Sequence, residues 1–278
     1  MIALSTGSLY NYGTARVFEL AAKAGFDGIE VLSDHRWDSR QPDYLRRLSA
    51  DHGLPIAIVH NPFVANVPTW PSDQLGRLRR TVALAQELGA PTVVAHLPFR
   101  LYAITGQWHG RRTRRFALPV PLPRRDPYYY FLRDGQVAEL EAESGVAIAI
   151  ENMPARRFLG MRVNGYWFNT PAELLRFPHL TLDTTHLGTW GMDPLAVYEQ
   201  LRERVAHVHL SNFDGREHRS PPDGHLPLDE LLHLMARSGY QGTITVETSP
   251  DALDAEDESK CLAALRRALE FCREHYDV

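Results

Sequence analysis

Short apolar runs alternate with longer amphipathic stretches along the whole chain, and this alternation restricts the fold more than any other feature of the sequence. The apolar runs are Ile2–Ser5, Gly28–Val31, Ile56–His60, Thr92–His96, Val146–Asn152, Leu180–Thr184, Val205–Ser211 and Thr243–Glu247. They are short and rich in Val and Ile, as buried strands are. The intervening stretches carry helix signals. Thr14–Ala24 places Val17, Leu20, Ala21 and Ala24 on one face, and Gly25 follows as a stop. Pro42–His52 ends at Gly53, a helix capped by Ser72 ends at Gly89, and Asp126–Ser144 ends at Gly145. Thr170-Pro171 and Asp193-Pro194 open helices with Pro at the first position, the second running to Arg204. Leu228–Arg237, stopped by Gly239, and Glu256–His275 complete the series. From about Pro98 to Pro127 the pattern is irregular and Arg-rich.

Strands separated by helices pair in parallel, so the fold class is α/β. Eight such units predict a (β/α)₈ TIM barrel, and 278 residues is close to the ~250 of a one-domain barrel. An open doubly wound sheet competes, but no Gly-x-Gly-x-x-Gly or P-loop follows any run. No break in composition marks a second domain, so residues 1–278 are read as one domain with an Arg-rich inserted loop at about 98–127. A formal net charge of −4 gives no global field toward nucleic acid or anionic lipid. Cys261 and Cys272, the only two cysteines, sit apart on one helix, which fits a reducing compartment. The first residues lack a basic-then-apolar leader and no apolar run is long enough to span a bilayer. The expectation is a cytoplasmic protein without a membrane partner.

The ionisable residues fall at the ends of the apolar runs. His60 ends the third, His96 the fourth and Glu151 the fifth. Asp183 and His186 follow the sixth, His209 lies in the seventh and Glu247 ends the eighth. In a (β/α)₈ barrel all these C-terminal ends share the active-site face. Carboxylates gathered there would repel one another and lose hydration unless a cation neutralised them. A histidine–carboxylate set without cysteine suits Zn²⁺, Mn²⁺, Co²⁺ or Fe²⁺ better than Mg²⁺ or Ca²⁺. Each histidine taken alone reads as an ordinary core or loop residue. It is their joint position that points to a metal.

Three segments, Ala-Gly-Phe-Asp-Gly-Ile-Glu-Val at 24–31, Glu-Leu-Gly-Ala-Pro at 87–91 and Gly-Tyr-Gln-Gly-Thr-Ile-Thr-Val-Glu at 239–247, carry a resemblance. Together with the strand-end residues they resemble the xylose isomerase-like barrel superfamily, over nearly the whole chain. That superfamily holds sugar and sugar-phosphate isomerases and epimerases, hydroxypyruvate isomerase and endonuclease IV. The resemblance implies that Glu151, Asp183, His209 and Glu247 hold one divalent metal, and that His60 and His96 with Glu151 form a second site. Zn, Mn or Co is expected, as one or two ions. It further implies that Glu151 and Glu247 are a catalytic acid/base pair and that His186 binds a substrate oxygen. A third site, as in endonuclease IV, requires a further histidine. Asp223-Gly224-His225 has the matching spelling, whereas alignment through the turn Pro222-Asp223-Gly224 selects His218 and puts Arg216 at the Asp position. Two departures from the ketose epimerases stand out. Arg157 replaces a glutamate, and Gly215 replaces a substrate-binding arginine, with Arg216 one place later.

Arg216, His218 and Trp190 are accordingly candidate substrate contacts, Trp190 as a sugar-stacking wall or simply as core. The run Arg111-Arg112-Thr113-Arg114-Arg115, with Arg124-Arg125, is ordinarily a solvated or subunit-contacting face, and alternatively a receiver of phosphate. Trp108 and Tyr128-Tyr129-Tyr130 stand near it, as cover for the site or as packing. The first expectation is a divalent-metal-dependent isomerase or epimerase acting on a small sugar or sugar phosphate by carboxylate-mediated proton transfer through an enediolate. The alternatives are an endonuclease IV-like phosphodiesterase acting on abasic DNA, and an inactive sugar-binding barrel. A homo-oligomer is left open.

Overall fold

The computed structural model describes residues 1–64, 66–109 and 113–276. Eight parallel strands close into a barrel: β1 (Ile2–Ser5), β2 (Gly28–Leu32), β3 (Ile56–His60), β4 (Thr92–His96), β5 (Ala147–Glu151), β6 (His179–Asp183), β7 (Val205–Leu210) and β8 (Thr243–Val246). Each strand pairs with its neighbours in sequence, and β8 closes the ring on β1. The strands are buried almost throughout. Both faces are covered, one by the helices and one by the barrel interior, so the runs are continuously apolar rather than alternating.

The helices lie where the pattern places them, and their ends follow from local backbone chemistry. Gly25, Gly53, Gly89 and Gly145 take left-handed conformations directly after Thr14–Ala24, Pro42–His52, Gln74–Leu88 and Gln136–Ser144. Several boundaries differ by one to three residues, the helix opened by Asp193-Pro194 ending at Leu201 rather than Arg204, and two differences have a clear cause. Asp73, not Ser72, caps the third helix, its side chain accepting from Gly76 N at 2.7 Å. The expected helix 126–144 is two, Pro127–Arg133 and Gln136–Ser144, because Gly135 between them has φ +79° and ends the first. One helix was not expected. Thr184–Trp190 starts straight after β6, with the Asp183 side chain as its cap. Cys261 and Cys272 are buried and free. Among the described residues no helix is long and apolar enough to cross a membrane.

Two antiparallel hairpins extend the connections after β4 and β5. Residues Leu101–His109 pair with Thr113–Pro123, so the irregular stretch is largely a β-hairpin. Its pattern was hidden by prolines, which cannot donate to a ladder and mark an exposed edge. Residues Arg156–Phe158 pair with Met161–Val163. The two connections are tied at their bases, where Arg100 N donates to Gly165 O (2.8 Å), Trp167 N donates to Pro98 O (2.9 Å) and the Phe99 and Tyr166 rings stack at 4.7 Å. This seam walls one side of the barrel mouth. Arg111 and Arg112 lie outside the described residues, as do the side chains of Trp108, Arg114 and Arg115.

A candidate metal centre at the barrel mouth

Strand register brings the ionisable side chains together in pairs. His96 is the register partner of Glu151 across β4 and β5, and Asp183 that of His209 across β6 and β7. Glu247 follows β8, its backbone N–H donating to Leu210 O (3.3 Å). These residues converge on His209 Nδ1, which stands 3.0 Å from Glu151 Oε1, 3.2 Å from Glu247 Oε2 and 3.8 Å from Asp183 Oδ2. His96 Nε2 lies 2.9 Å from Glu151 Oε2 and His60 Nε2 lies 3.8 Å from it.

Among the described residues four overlapping groups result, each with its potential ligand atoms within 4.8 Å of one another: Glu151, Asp183, His209 and Glu247; His60, His96 and Glu151; Asp183, His186 and His218; and Glu30, His60, His209 and Glu247, the last of which sequence reasoning missed. The first two are the sets anticipated from sequence. The third contains His218 and not His225. His218 enters the site, while His225 is exposed on the far part of the loop. The loop is organised by Asn212, whose Nδ2 donates to Pro221 O and whose Oδ1 accepts from Phe213 N and Leu226 N. Gly224 makes this closure feasible, since a Cβ there would lie 2.3 Å from Asn212 Oδ1. His218 itself has φ +57°, a left-handed conformation held by the Thr185 Oγ1 to His218 N bond (3.1 Å) and by Ser249 N donating to His218 O (2.8 Å). Such strain in a residue aimed at a carboxylate cluster is characteristic of functional positions.

The cluster gathers buried charge whose mutual effects are strong. Burial alone would raise the Glu151 carboxyl, but His96 and His209 hold it well below the usual range. Burial pushes Asp183 well above its ordinary value, and the Glu151 carboxylate adds to this. Burial opposes charge on His209, yet Glu247, Glu30 and Glu151 around it raise it well above normal. His60 is raised against its burial by Glu151. His186, buried and bonded through Nδ1 to Asn152 O, is pushed down to about 3. Glu151 Oε2 and Asp183 Oδ2 accept no aligned hydrogen bond although both are buried. His96 approaches the former without the direction of a donor. Buried carboxylate oxygens without donors, close to the imidazoles of the same cluster, fit a divalent metal.

A cavity of about 770 Å³ opens above this cluster, with His60, His96, Glu151, His186, His218 and Glu247 in its floor and wall. Phe63, Phe99, Tyr128 and Tyr166 supply aromatic surface, and Arg77, Arg124 and Arg156 supply cations. The Tyr128 hydroxyl donates to His96 O at 2.7 Å, fixing the end of β4. Two anticipated substrate contacts are placed elsewhere. Arg216 is 65% exposed and turned onto Asp214 (2.9 Å), outside the cavity lining. Trp190 donates its indole N–H to Met153 O (3.0 Å), behind that lining. Neither orientation is encoded in local sequence. Arg156, next to the Arg157 of the sequence comparison, faces the cavity instead, with Nη2 donating to the Tyr166 hydroxyl (2.5 Å).

Below the cluster lies a buried polar layer that the sequence reading passed over. Glu30 on β2 is fully buried, with Oε1 and Oε2 at 3.1 and 3.0 Å from His209 Nε2, and Ser5 Oγ donates to Oε1 at 3.1 Å. Burial would raise this carboxyl, but His209, with His207 and His60, holds it down to about 2. His207 lies beside it, bonded to Thr181 and Thr245 hydroxyls and pushed by burial down to about 3. The available signal was an acidic residue inside an apolar strand, in Gly-Ile-Glu-Val.

The architecture agrees with what the chain is similar to. An uncharacterized protein of Mycobacterium leprae (strain TN) is 31% identical over 296 residues, covering 98% of this chain and 96% of its own length. Among solved structures, D-allulose 3-epimerase from Methylomonas sp. in complex with D-allulose superposes with a TM-score of 0.67 at 17% identity, covering 99% of this chain and 96% of that one. An AP endonuclease, family 2, from Brucella melitensis gives 0.65 at 18%, covering 90% and 93%. At these identities the superpositions speak for the fold. The model of the xylose isomerase-like TIM barrel family matches residues 18–271, and the chain belongs to that family.

Proposed function

We propose that this protein is a divalent-metal-dependent isomerase or epimerase of a sugar or sugar phosphate, with Glu151 and Glu247 exchanging the proton on the carbon beside the substrate carbonyl. The observation that carries the reading is the placing of these two carboxylates. They come from β5 and from the end of β8, both line the cavity, and both reach within 3.2 Å of His209 Nδ1. Their environments differ. The Glu247 side chain is 17% exposed and that of Glu151 only 2%. One carboxylate taking a proton while another returns it is general acid–base catalysis, worth typically ~10²–10⁴-fold.

Glu151, Asp183, His209 and Glu247 would hold the principal ion, and His60 with His96 a second. When bound, a divalent ion would offset negative charge developing on the substrate oxygens. His186, kept neutral, presents an imidazole to the same cavity for a substrate hydroxyl. Phe63, stacked on His96 with ring centroids at 6.0 Å, covers the polar cluster from the solvent side.

The test is incubation of Mn²⁺- or Co²⁺-loaded protein with ketoses, aldoses and their phosphates in D₂O, followed by NMR. Deuterium is expected at the carbon beside the carbonyl, and its incorporation should be lost in metal-loaded Glu151→Gln and Glu247→Gln. Isomerisation without solvent deuterium would replace proton transfer by hydride shift. Full activity in either variant would remove that residue from the pair.

A second reading, metal-dependent phosphodiester hydrolysis of abasic DNA, draws on the extra groups His60–His96–Glu151 and Asp183–His186–His218. Incision of an abasic duplex at physiological salt, abolished by His60→Ala or His96→Ala, would establish it in place of the first. No incision above background is expected.

A further inference from the structure

Glu30 is fully buried and does not line the cavity, although its carboxylate lies within 4.8 Å of potential ligand atoms of His60, His209 and Glu247. What it touches is the far side of a proposed metal ligand. His209 Nδ1 faces three carboxylates, from Glu151, Glu247 and Asp183, while Nε2 faces both oxygens of Glu30 at 3.0 and 3.1 Å. A carboxylate can only accept, so a hydrogen on Nε2 satisfies Glu30 and leaves the Nδ1 lone pair for an ion. Ser5 Oγ donates to Glu30 Oε1 and His207 Nε2 stands 3.3 Å from Oε2, which limits rotation of the carboxylate. The strand register sets Glu30 opposite Ser5 on β1 and Ile58 on β3, which fixes its place in the strand order.

We propose that Glu30 is a positioning residue for the metal centre, holding His209 as the tautomer protonated on Nε2 and its ring in the orientation that offers Nδ1 to the ion. The inference rests on the metal reading of the site and adds a buried carboxylate–histidine pair beneath it. Partners of this kind orient ligating histidines and raise their basicity, and losing one typically lowers metal affinity by about 10–100-fold.

The experiment uses Co²⁺ as probe on the full chain, in the parent, Glu30→Ala and Glu30→Gln. Affinity is read by competition with a chelating dye, ring geometry by the visible absorption of bound Co²⁺, and the His209 tautomer by ¹⁵N NMR of the Zn²⁺-loaded protein. Glu30→Ala is expected to lower Co²⁺ affinity about 10–100-fold and shift the visible band. Glu30→Gln keeps an acceptor oxygen and the side-chain volume, so it should recover a large part of the affinity and retain the Nε2–H signal. If Glu30→Ala does not fold, the same comparison between parent and Glu30→Gln decides through the tautomer signal. Parent protein showing His209 bound through Nε2, or a folded Glu30→Ala with unchanged Co²⁺ affinity and spectrum, would overturn the positioning role alone. Parent protein that takes up neither Co²⁺ nor Zn²⁺ would overturn the metal reading and this inference with it.

Discussion

Replacing Asp183 by Asn should stabilise the metal-free protein and weaken the metal-loaded one. Asp183 has two separable roles. Its Oδ1 caps the helix Thr184–Trp190 by accepting from His186 N at 2.8 Å, while its buried Oδ2 accepts nothing. Asn keeps the capping oxygen and the volume but removes the acid. The carboxylates of Asp183, Glu151 and Glu247 offer oxygens within 4.8 Å of a common cluster, where two full charges repel by roughly 3 kcal/mol at an effective dielectric of ~20. Burial and the Glu151 carboxylate raise the Asp183 carboxyl well above its ordinary value, which lessens this repulsion. In the window between the unfolded value of about 3.9 and the raised folded value, the folded state holds a proton that the unfolded chain has released. Stability therefore falls as pH rises across that window, by up to about 1.4 kcal/mol per unit. Asp183→Asn abolishes that slope. In the presence of chelator its advantage over the parent should grow from near zero around pH 4 to about 1–3 kcal/mol at pH 7. With Co²⁺ at a thousandfold its dissociation constant the parent gains about 4 kcal/mol, and the variant, whose amide is a poorer ligand, gains less, so the order reverses. Urea unfolding followed by tryptophan fluorescence, at several pH values with EDTA and with Co²⁺, reads both effects. A variant less stable than the parent by more than about 1 kcal/mol in EDTA at every pH would refute the reasoning, and would make Asp183 a structural carboxylate with no unmet charge.

His218→Gly relieves a left-handed backbone that costs a non-glycine residue roughly 1–2 kcal/mol, so thermal unfolding should occur at an equal or higher temperature while uptake of any ion held by Asp183, His186 and His218 declines on elemental analysis. Tyr128→Phe removes the donor to His96 O and should lower stability by about 1–2 kcal/mol in urea titrations, with weakened occupancy of the His60–His96–Glu151 group. His179 is raised by its bond to Glu141 (2.8 Å), partly against its burial, so the protonated pair stabilises the fold below about pH 6.5 and the effect is lost as pH rises through the raised value. Discounted for the exposure of His179, His179→Gln should cost a few tenths of a kcal/mol near pH 5.5 and nothing near pH 9, measured as the difference in urea midpoints. A gap that widened with pH would contradict that sign.

The primary sequence by itself determined the order of the eight barrel strands, most of the helices between them, and the face on which the strand-end polar residues gather. These are local matters. Continuous Val- and Ile-rich runs become buried strands, glycines after the helices accept the left-handed turn that ends them, and each polar residue at a strand end inherits the active-site side from the chain direction. His218 rather than His225 stands beside Asp183 and His186, in keeping with the family alignment through Pro222-Asp223-Gly224, which is a matter of resemblance and not of local pattern. Tertiary structure decided whatever depends on which way a side chain points once the ring is closed. Glu30 looks like one acid among apolar neighbours until closure turns it inward beneath His209. Arg216 and Trp190 stand at plausible positions in the chain, but Asp214 and the Met153 carbonyl draw them away from the cavity. The prolines of residues 113–123 conceal a strand that pairs only with its own hairpin partner. Pairing register sets His96 beside Glu151 and Asp183 beside His209. A shift of one residue in either would turn a ligand out of the barrel, and that register is settled by hydrogen bonds between strands far apart in sequence, which no local pattern specifies.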